Sequence, residues 1–331
     1  SRRGANALLA AALAFAKAFA AHERLPLYGY LARMVPYGSL SHLPRPTINL
    51  FSGGKHGGGQ VAIQDVMIVP IHDSRMDTLL EKADRVYRAA IRLVSEKYGM
   101  RPLTADEGGL APPCADPEEM MADAVDAIER AGLRPGTDIG LALDVAASHF
   151  FHHGRYHLGG RSLDAAAMAQ QVEGWTAQYP ILSIEDALAE EEWAVWPRLC
   201  ETLGARVLVV GDDLLCTHPD RIRRAVRERA ANALLLKVNQ IGTLTEAAEA
   251  FRLAREAGWT IVVSARSGET EDDWLSDLAV GWGGNQIKIG SIRAGERLAK
   301  YNRLLEIEAR TALAVAPWPV AAPGRFRPRE T

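Results

Sequence analysis

The sequence predicts an α/β fold, a (β/α) barrel, on three observations. Six functional side chains, Asp144, Glu185, Asp212, Lys237, Arg266 and Lys288, each arrive as an apolar run ends: GLALD, ILSIE, RVLVVGD, ALLLK, TIVVSAR and NQIK. Gaps of 22 to 41 residues separate them, room each time for one helix and two loops. Three carboxylates and three cations then share one rim, and barrel chemistry gathers at the carboxyl ends of parallel strands.

The elements follow in order. ALLAAALAFAKAFAA (7–21) is the longest apolar stretch. Lys17 interrupts it and alanine dominates, so a helix packed on the barrel is expected rather than a bilayer span. Leu8, Leu9, Ala12, Phe15, Ala16 and Phe19 make its predicted buried face. A Pro, Gly and Ser-rich loop (35–46) leads to the strand TINLF (47–51) and the glycine cluster SGGKHGGG (52–59). QVAIQDVMIVP (60–70) alternates as a strand does and stops at Pro70. The pattern predicts amphipathic helices over 75–98 and 117–131, with RPLTADEGGLAPP (101–113) a loop between them. Strands are then expected near 139–144, 181–185, 206–211, 233–238, 260–264 and 285–289. They alternate with helices near 163–178, 190–203, 218–230, 243–257, 272–280 and 293–308. The Pro-rich end, 316–331, reads as a loosely held tail.

A hydrophobic content of 48% and a net charge of −3 fit a soluble globular chain and give no electrostatic case for nucleic acid or an anionic membrane. Cys114, Cys200 and Cys216 form neither a disulfide framework nor a CxxC site, as in a reduced cytoplasmic protein.

Asp144, Glu185 and Asp212 carry the chemistry. Three carboxylates from neighbouring strands, without thiol or imidazole, suit Mg²⁺ better than zinc. Each alone reads equally as a helix cap or an ion-pair partner; three in register point to a metal site. Asp186 and Asp213 are expected to support them by hydrogen bonds. Lys237 ends a run too apolar for a surface strand, and lost hydration with nearby cations should bring its pKa down toward that of a usable base. An ion pair with Glu185 or Asp212 is the alternative. Lys288 reads as a holder of a substrate carboxylate, and Arg266 with Ser267 as a phosphate or carboxylate clamp. Glu107, in ADEGGLAPP, sits where glycines let backbone approach a ligand, and as an acid it suits protonation of a leaving group. His56, between glycines, reads as the tip of a mobile lid. His149, His152 and His153 read as surface loop residues.

Together LLLKVNQIGTLTEA, SGETEDDW, DEGGLAP, SIED and GDDL resemble the enolase family, which interconverts 2-phosphoglycerate and phosphoenolpyruvate. The likeness runs from GANALLAAALAFAKA to GERLAKYNRLLEIE. It implies an enolase-type (β/α)8 barrel over 39–315, residues 1–38 being a helical remnant of the N-terminal capping domain. It implies Mg²⁺ on Asp144, Glu185 and Asp212, and Lys237 as the base that removes the proton α to the carboxylate. Lys288 then stabilises the dianion, Glu107 acts as general acid, and Arg266 and Ser267 bind phosphate. The catalytic set further includes His56 and Asp65, and the substrate-binding set His56 and Gln64. The substrate would be a small phosphorylated three-carbon acid, and homo-oligomers are a family habit.

Departures from the family pattern redirect the expectation. Ala265 replaces the family's pocket histidine, Gln64-Asp65 its Gln-Glu, Ala187 the proline of its I-E-D-P, and Lys288-Ile289-Gly290-Ser291-Ile292 its K-T-G-A-P. Enolases also carry a longer segment before GANA, including a lid loop. The trimmed pocket favours a specialised paralogue that admits a second phosphorus-containing substrate, as carboxyphosphonoenolpyruvate synthase of phosphonate antibiotic pathways does. An ordinary 2-phosphoglycerate dehydratase and a non-catalytic scaffold barrel are the alternatives.

Overall fold

The computed structural model describes residues 4–38 and 40–319. Eight strands close a barrel around one core. In chain order the strands are β1 (Arg45–Ser52), β2 (Asp65–Pro70) and β3 (Ile139–Asp144), then β4 (Phe151–His152), β5 (Arg155–Leu158) and β6 (Arg161–Leu163). They continue with β7 (Ile181–Glu185), β8 (Leu208–Gly211), β9 (Ala233–Leu236), β10 (Thr260–Ser264) and β11 (Gln286–Gly290). The barrel runs β1-β11-β10-β9-β8-β7-β3-β2, and β4–β6 form a separate small antiparallel sheet.

One strand breaks the expected uniform polarity. β2 runs antiparallel to both of its neighbours, β1 and β3. The reason is the connection that precedes it: residues 53–64 hold only the one-turn helix Gly54–Gly57, too little for the crossover that a parallel return needs. The crossover helices come next instead, as Met76–Tyr98 and Pro117–Arg130. The β4–β6 sheet was likewise not anticipated; its strands of two to four residues are too short to show a period of two. The helix expected from 190 begins at Trp196, followed by Pro197 at its first turn.

The barrel places the polar residues by simple alternation. Side chains of a strand alternate between faces, so an inward row continues two residues on. Ala142, Val210, Leu235 and Val262 pack within the barrel in two small clusters. Two residues beyond them lie Asp144, Asp212, Lys237 and Ser264. Register sets the rows level: Asp144 pairs with Glu185 and with Asp65, and Ser264 pairs with Lys288.

The first helix, Ala5–His22, is long and apolar enough to cross a membrane by length and composition. Here it lies on the outer helical layer and turns only part of the predicted face inward: Ala16 is buried and Leu9 and Ala12 pack on the core. Leu13, Ala16 and Ala20 are buried, whereas Phe15 and Phe19 are 67% and 49% exposed and stack on each other at 6.5 Å. Alanines allow the closer approach to the neighbouring helices, which turns the phenylalanines outward. The end of the chain also departs from expectation as far as it is described. Leu43 and Val315 form a bridge, Arg45 Nε donates to the Ala316 carbonyl at 2.8 Å, and Trp318 packs on both inner-barrel clusters. The rest of the predicted tail, from 320, lies outside the described residues.

Candidate active site

A cavity of about 340 Å³ opens at the carboxyl end of the barrel. Its lining includes His56, Gln64, Glu107, Asp144, Asp212, Lys237, Arg266, Ser267 and Lys288. Nine of the predicted site residues therefore meet in one place. Two are not part of its lining. Glu185 is buried beside Asp144, sharing the Lys288 ammonium with it, and Asp65 stands behind His56.

Ammonium groups neutralise the carboxylates. Lys288 Nζ donates to Asp144 Oδ2 at 2.7 Å and to Glu185 Oε2 at 2.8 Å, while Lys237 Nζ bonds Asp212 Oδ2. Gln64 Nε2 adds a bond to Asp144 Oδ2 at 3.1 Å, and Gln240 Nε2 one to Asp212 Oδ1 at 2.7 Å. Burial alone would raise Asp144, yet the adjacent Lys288 holds it below the usual carboxylate range. Glu185 is pushed well up, by burial and then by Asp144. The expected fall in the Lys237 pKa does not occur in this state. Burial acts to lower it, but Asp212 and Glu185 outweigh that and leave the ammonium above its ordinary range. The ion pair with Asp212, the alternative reading of this lysine, is what the structure holds.

The donor set fits a hard divalent cation. Asp144, Glu185 and Asp212 offer oxygen only, and Glu185 Oε1 is buried with no partner, an orphan acceptor that a cation would satisfy. Asp186, Asp212 and Asp213 bring carboxylate oxygens within 4.8 Å of one another, as the trio of Asp144, Glu185 and Asp212 does not, yet the Asp186 carboxylate is already engaged. It accepts from the backbone N–H of Asp212 at 3.0 Å and of Asp213 at 2.7 Å, and so shapes the loop that carries Asp212. That is the supporting role expected of it.

Across the cavity lies an acid side. Asn49 Nδ2 donates to Glu107 Oε2 at 3.1 Å, and burial, then Asp65, raise the Glu107 carboxyl. A carboxyl so placed keeps its proton more readily and can give it away. His56 is turned into the cavity. Its side chain is 13% exposed, with Nδ1 3.2 Å from Asp65 Oδ2 and Nε2 3.3 Å from Ser267 Oγ. The glycines around it let the chain coil tightly into the helix Gly54–Gly57, which tucks the imidazole inward. Burial lowers the His56 pKa, but Asp65 more than offsets it and the net shift is upward.

Arg266 stands exposed on the rim, and Ser267 faces His56. Behind both lies Arg297, fully buried, donating to the carbonyls of Arg266, Ser267 and Ile289 at 2.7, 2.6 and 3.0 Å. Neither Arg297 nor Gln240 stood out in the sequence, since each acts across elements and a helical arginine or glutamine reads as solvated. His149 corrects an expectation. It lines the cavity, half-buried, with Nδ1 buried and unpartnered. His152 and His153 are exposed, as expected.

The family model for the enolase C-terminal TIM barrel domain matches residues 40–316. The match spans the closed barrel and the whole of its polar rim, and on that ground the chain belongs to the enolase family.

Proposed function

We propose that this chain enolises a 2-phosphoglycerate- or phosphoenolpyruvate-type acid, with magnesium bound, by removing the proton α to its carboxylate. Base and acid lie on opposite sides of one cavity, and this observation carries the reading. Lys237 follows β9, whereas Asp65 opens β2, four strands away around a ring of eight, and His56 and the acid Glu107 lie within 4.8 Å of the Asp65 carboxylate. A substrate between them presents its α-proton to one wall and its leaving group to the other.

Magnesium on Asp144, Glu185 and Asp212 supplies the positive charge that makes so weak a carbon acid reactive. Lys237 takes the proton once its pairing with Asp212 is relaxed, because that carboxylate is the main attraction holding the proton on. Lys288 carries positive charge beside the substrate carboxylate as the dianion forms. Glu107 keeps a proton for the leaving group, and Arg266 with Ser267 holds the phosphate.

The specialised-paralogue reading is preferred, with a carboxyphosphonoenolpyruvate synthase-like reaction in phosphonate biosynthesis as its example. Ala265 lines the cavity where the family places a histidine, which leaves room for a second phosphorus-containing substrate. Asp65 is committed to Ser52 and His56, away from the leaving group.

The test is 2-phosphoglycerate with magnesium in D₂O, followed by NMR for α-proton exchange and by absorbance for the enol double bond. Exchange without dehydration is expected. Phosphoenolpyruvate formed at an enzyme-like rate would make this an ordinary dehydratase. Neither exchange nor dehydration would leave a non-catalytic barrel.

A further inference from the structure

Lys55 takes no part in the reaction above, and its surroundings are unusual for this chain. The other six lysines each hold a carboxylate, for example Lys17 with Asp272, Lys97 with Asp123 and Lys300 with Glu269. Among the described residues Lys55 is the one lysine with neither an ion pair nor a hydrogen bond; it is solvent-exposed, yet it borders a cavity rich in carboxylates. Close by, His149 Nδ1 is buried and likewise unpartnered. That atom is enclosed, so a ligand in the cavity would meet the other ring nitrogen, Nε2.

These two residues border a second cavity as well. It has a volume of about 400 Å³ and is lined also by Gly54, Gly58, Gly59, Val61, Ala62 and Phe150, with no carboxylate among them. Its room is made by backbone. Gly58 and Gly59 have φ of +90° and +83°, and a Cβ at either would meet nothing within 4 Å. The cavity is thus a space with a free ammonium at its junction with the catalytic cavity, an imidazole beside it, and no competing anion.

We propose that Lys55 and His149 form a second oxyanion site, opening off the catalytic cavity, for a carboxylate or phosphonate borne by a small co-substrate. The inference rests on the proposed function only in what the co-substrate would meet: the enolised acid held beside it. Lys55 supplies charge from the glycine loop, and a ring N–H of His149 donates from the other side. An ammonium is a point charge on a flexible stem, so it accepts tetrahedral and planar oxyanions alike.

Phosphonoacetate, which carries both groups, is the probe. Calorimetric titration with excess magnesium and saturating 2-phosphoglycerate, which fills the Arg266, Ser267 and Lys288 side of the catalytic cavity, is run on the wild-type chain and on Lys55→Ala, Lys55→Arg and Lys17→Ala, each checked by thermal melting. The wild type is expected to bind one phosphonoacetate. Lys55→Ala should weaken binding about tenfold or more, equivalent to one lost charged hydrogen bond, and Lys55→Arg should retain it. Lys17→Ala, which removes a surface charge paired with Asp272, should leave binding within about twofold, a change of under 1 kcal/mol. No binding to the wild type overturns the proposal, as does binding that Lys55→Ala leaves intact or that Lys17→Ala weakens equally. Proton exchange reads Lys237 and this titration reads Lys55, so the two readings fail separately.

Discussion

Asp65 backs His56, with its Oδ2 3.2 Å from the imidazole Nδ1 while its Oδ1 accepts from Ser52 Oγ at 2.6 Å. The carboxylate is fully buried, so it acts on the cavity through the histidine. Asp65→Asn removes the charge that outweighs burial at His56, and the imidazole should then titrate at lower pH. Sign follows from the raised folded-state value: the stabilisation from protonated His56 is complete below the ordinary histidine value and is lost as pH rises through the folded one. In Asp65→Asn burial prevails and that stabilisation should disappear, and turnover should fall about 10²-fold as the ring drifts. NMR titration of the His56 ring checks this; an unmoved midpoint would count against it.

Lys288 occupies the carboxylates that would hold magnesium. Lys288→Met leaves Asp144 and Glu185 buried together with no ammonium, and breaking such a pair costs about 3–5 kcal/mol. A cation that binds the same oxygens should restore part of it. Thermal melts with magnesium and with a chelator are expected to show a larger magnesium-dependent rise in Tm for Lys288→Met than for the wild type. Equal rises would mean that the cation binds elsewhere.

Lys237→Ala removes the proposed base. Exchange of the α-proton should fall by about 10²–10⁴-fold, while phosphate contacts at Arg266 and Ser267 leave KM largely unchanged. Deuterium incorporation measured under saturating substrate decides the matter, and wild-type exchange in the variant would remove Lys237 from the mechanism.

Gly290 has φ +117°, and an added Cβ would lie 2.9 Å from Arg297 Cδ and 3.0 Å from the Glu107 carbonyl oxygen. That carbonyl accepts from Ser291 N at 2.8 Å, which ties the acid loop to the end of β11. Gly290→Ala should cost about 1–2 kcal/mol from backbone strain alone, and it should slow turnover by displacing Glu107. Melting and steady-state rates test this together.

Arg297 holds the carbonyls of Arg266, Ser267 and Ile289, beneath the proposed phosphate clamp. Arg297→Leu leaves them without a partner and should destabilise by at least about 3 kcal/mol. Arg297→Lys, which can keep one of the bonds, should fold and show a raised KM for the phosphorylated acid with a smaller change in kcat. A uniform fall in kcat with KM unmoved would place Arg297's role elsewhere.

Much of this molecule was legible in its residue order. Asp144, Glu185, Asp212, Lys237 and Lys288 stood out because a strand terminus is a local event: apolar alternation stops and a charge appears. Glu107 stood out because its flanking glycines signal a loop near a ligand. The direction of β2 was not legible, since a strand's own pattern is the same whichever way it runs. Phe15 and Phe19 misled because alanines on the neighbouring face also bury well.

The sequence by itself determined the barrel, the list of charged groups on its rim and the family. Those properties rest on periodicity and residue type, which act along the chain. Tertiary structure alone decided which charge meets which: Lys237 paired with Asp212 and kept protonated, Asp65 behind His56, Arg297 beneath the Arg266–Ser267 loop, and Lys55 and His149 unpaired beside a second cavity. Desolvation and Coulomb attraction depend on distances through space, and residues far apart in sequence set them.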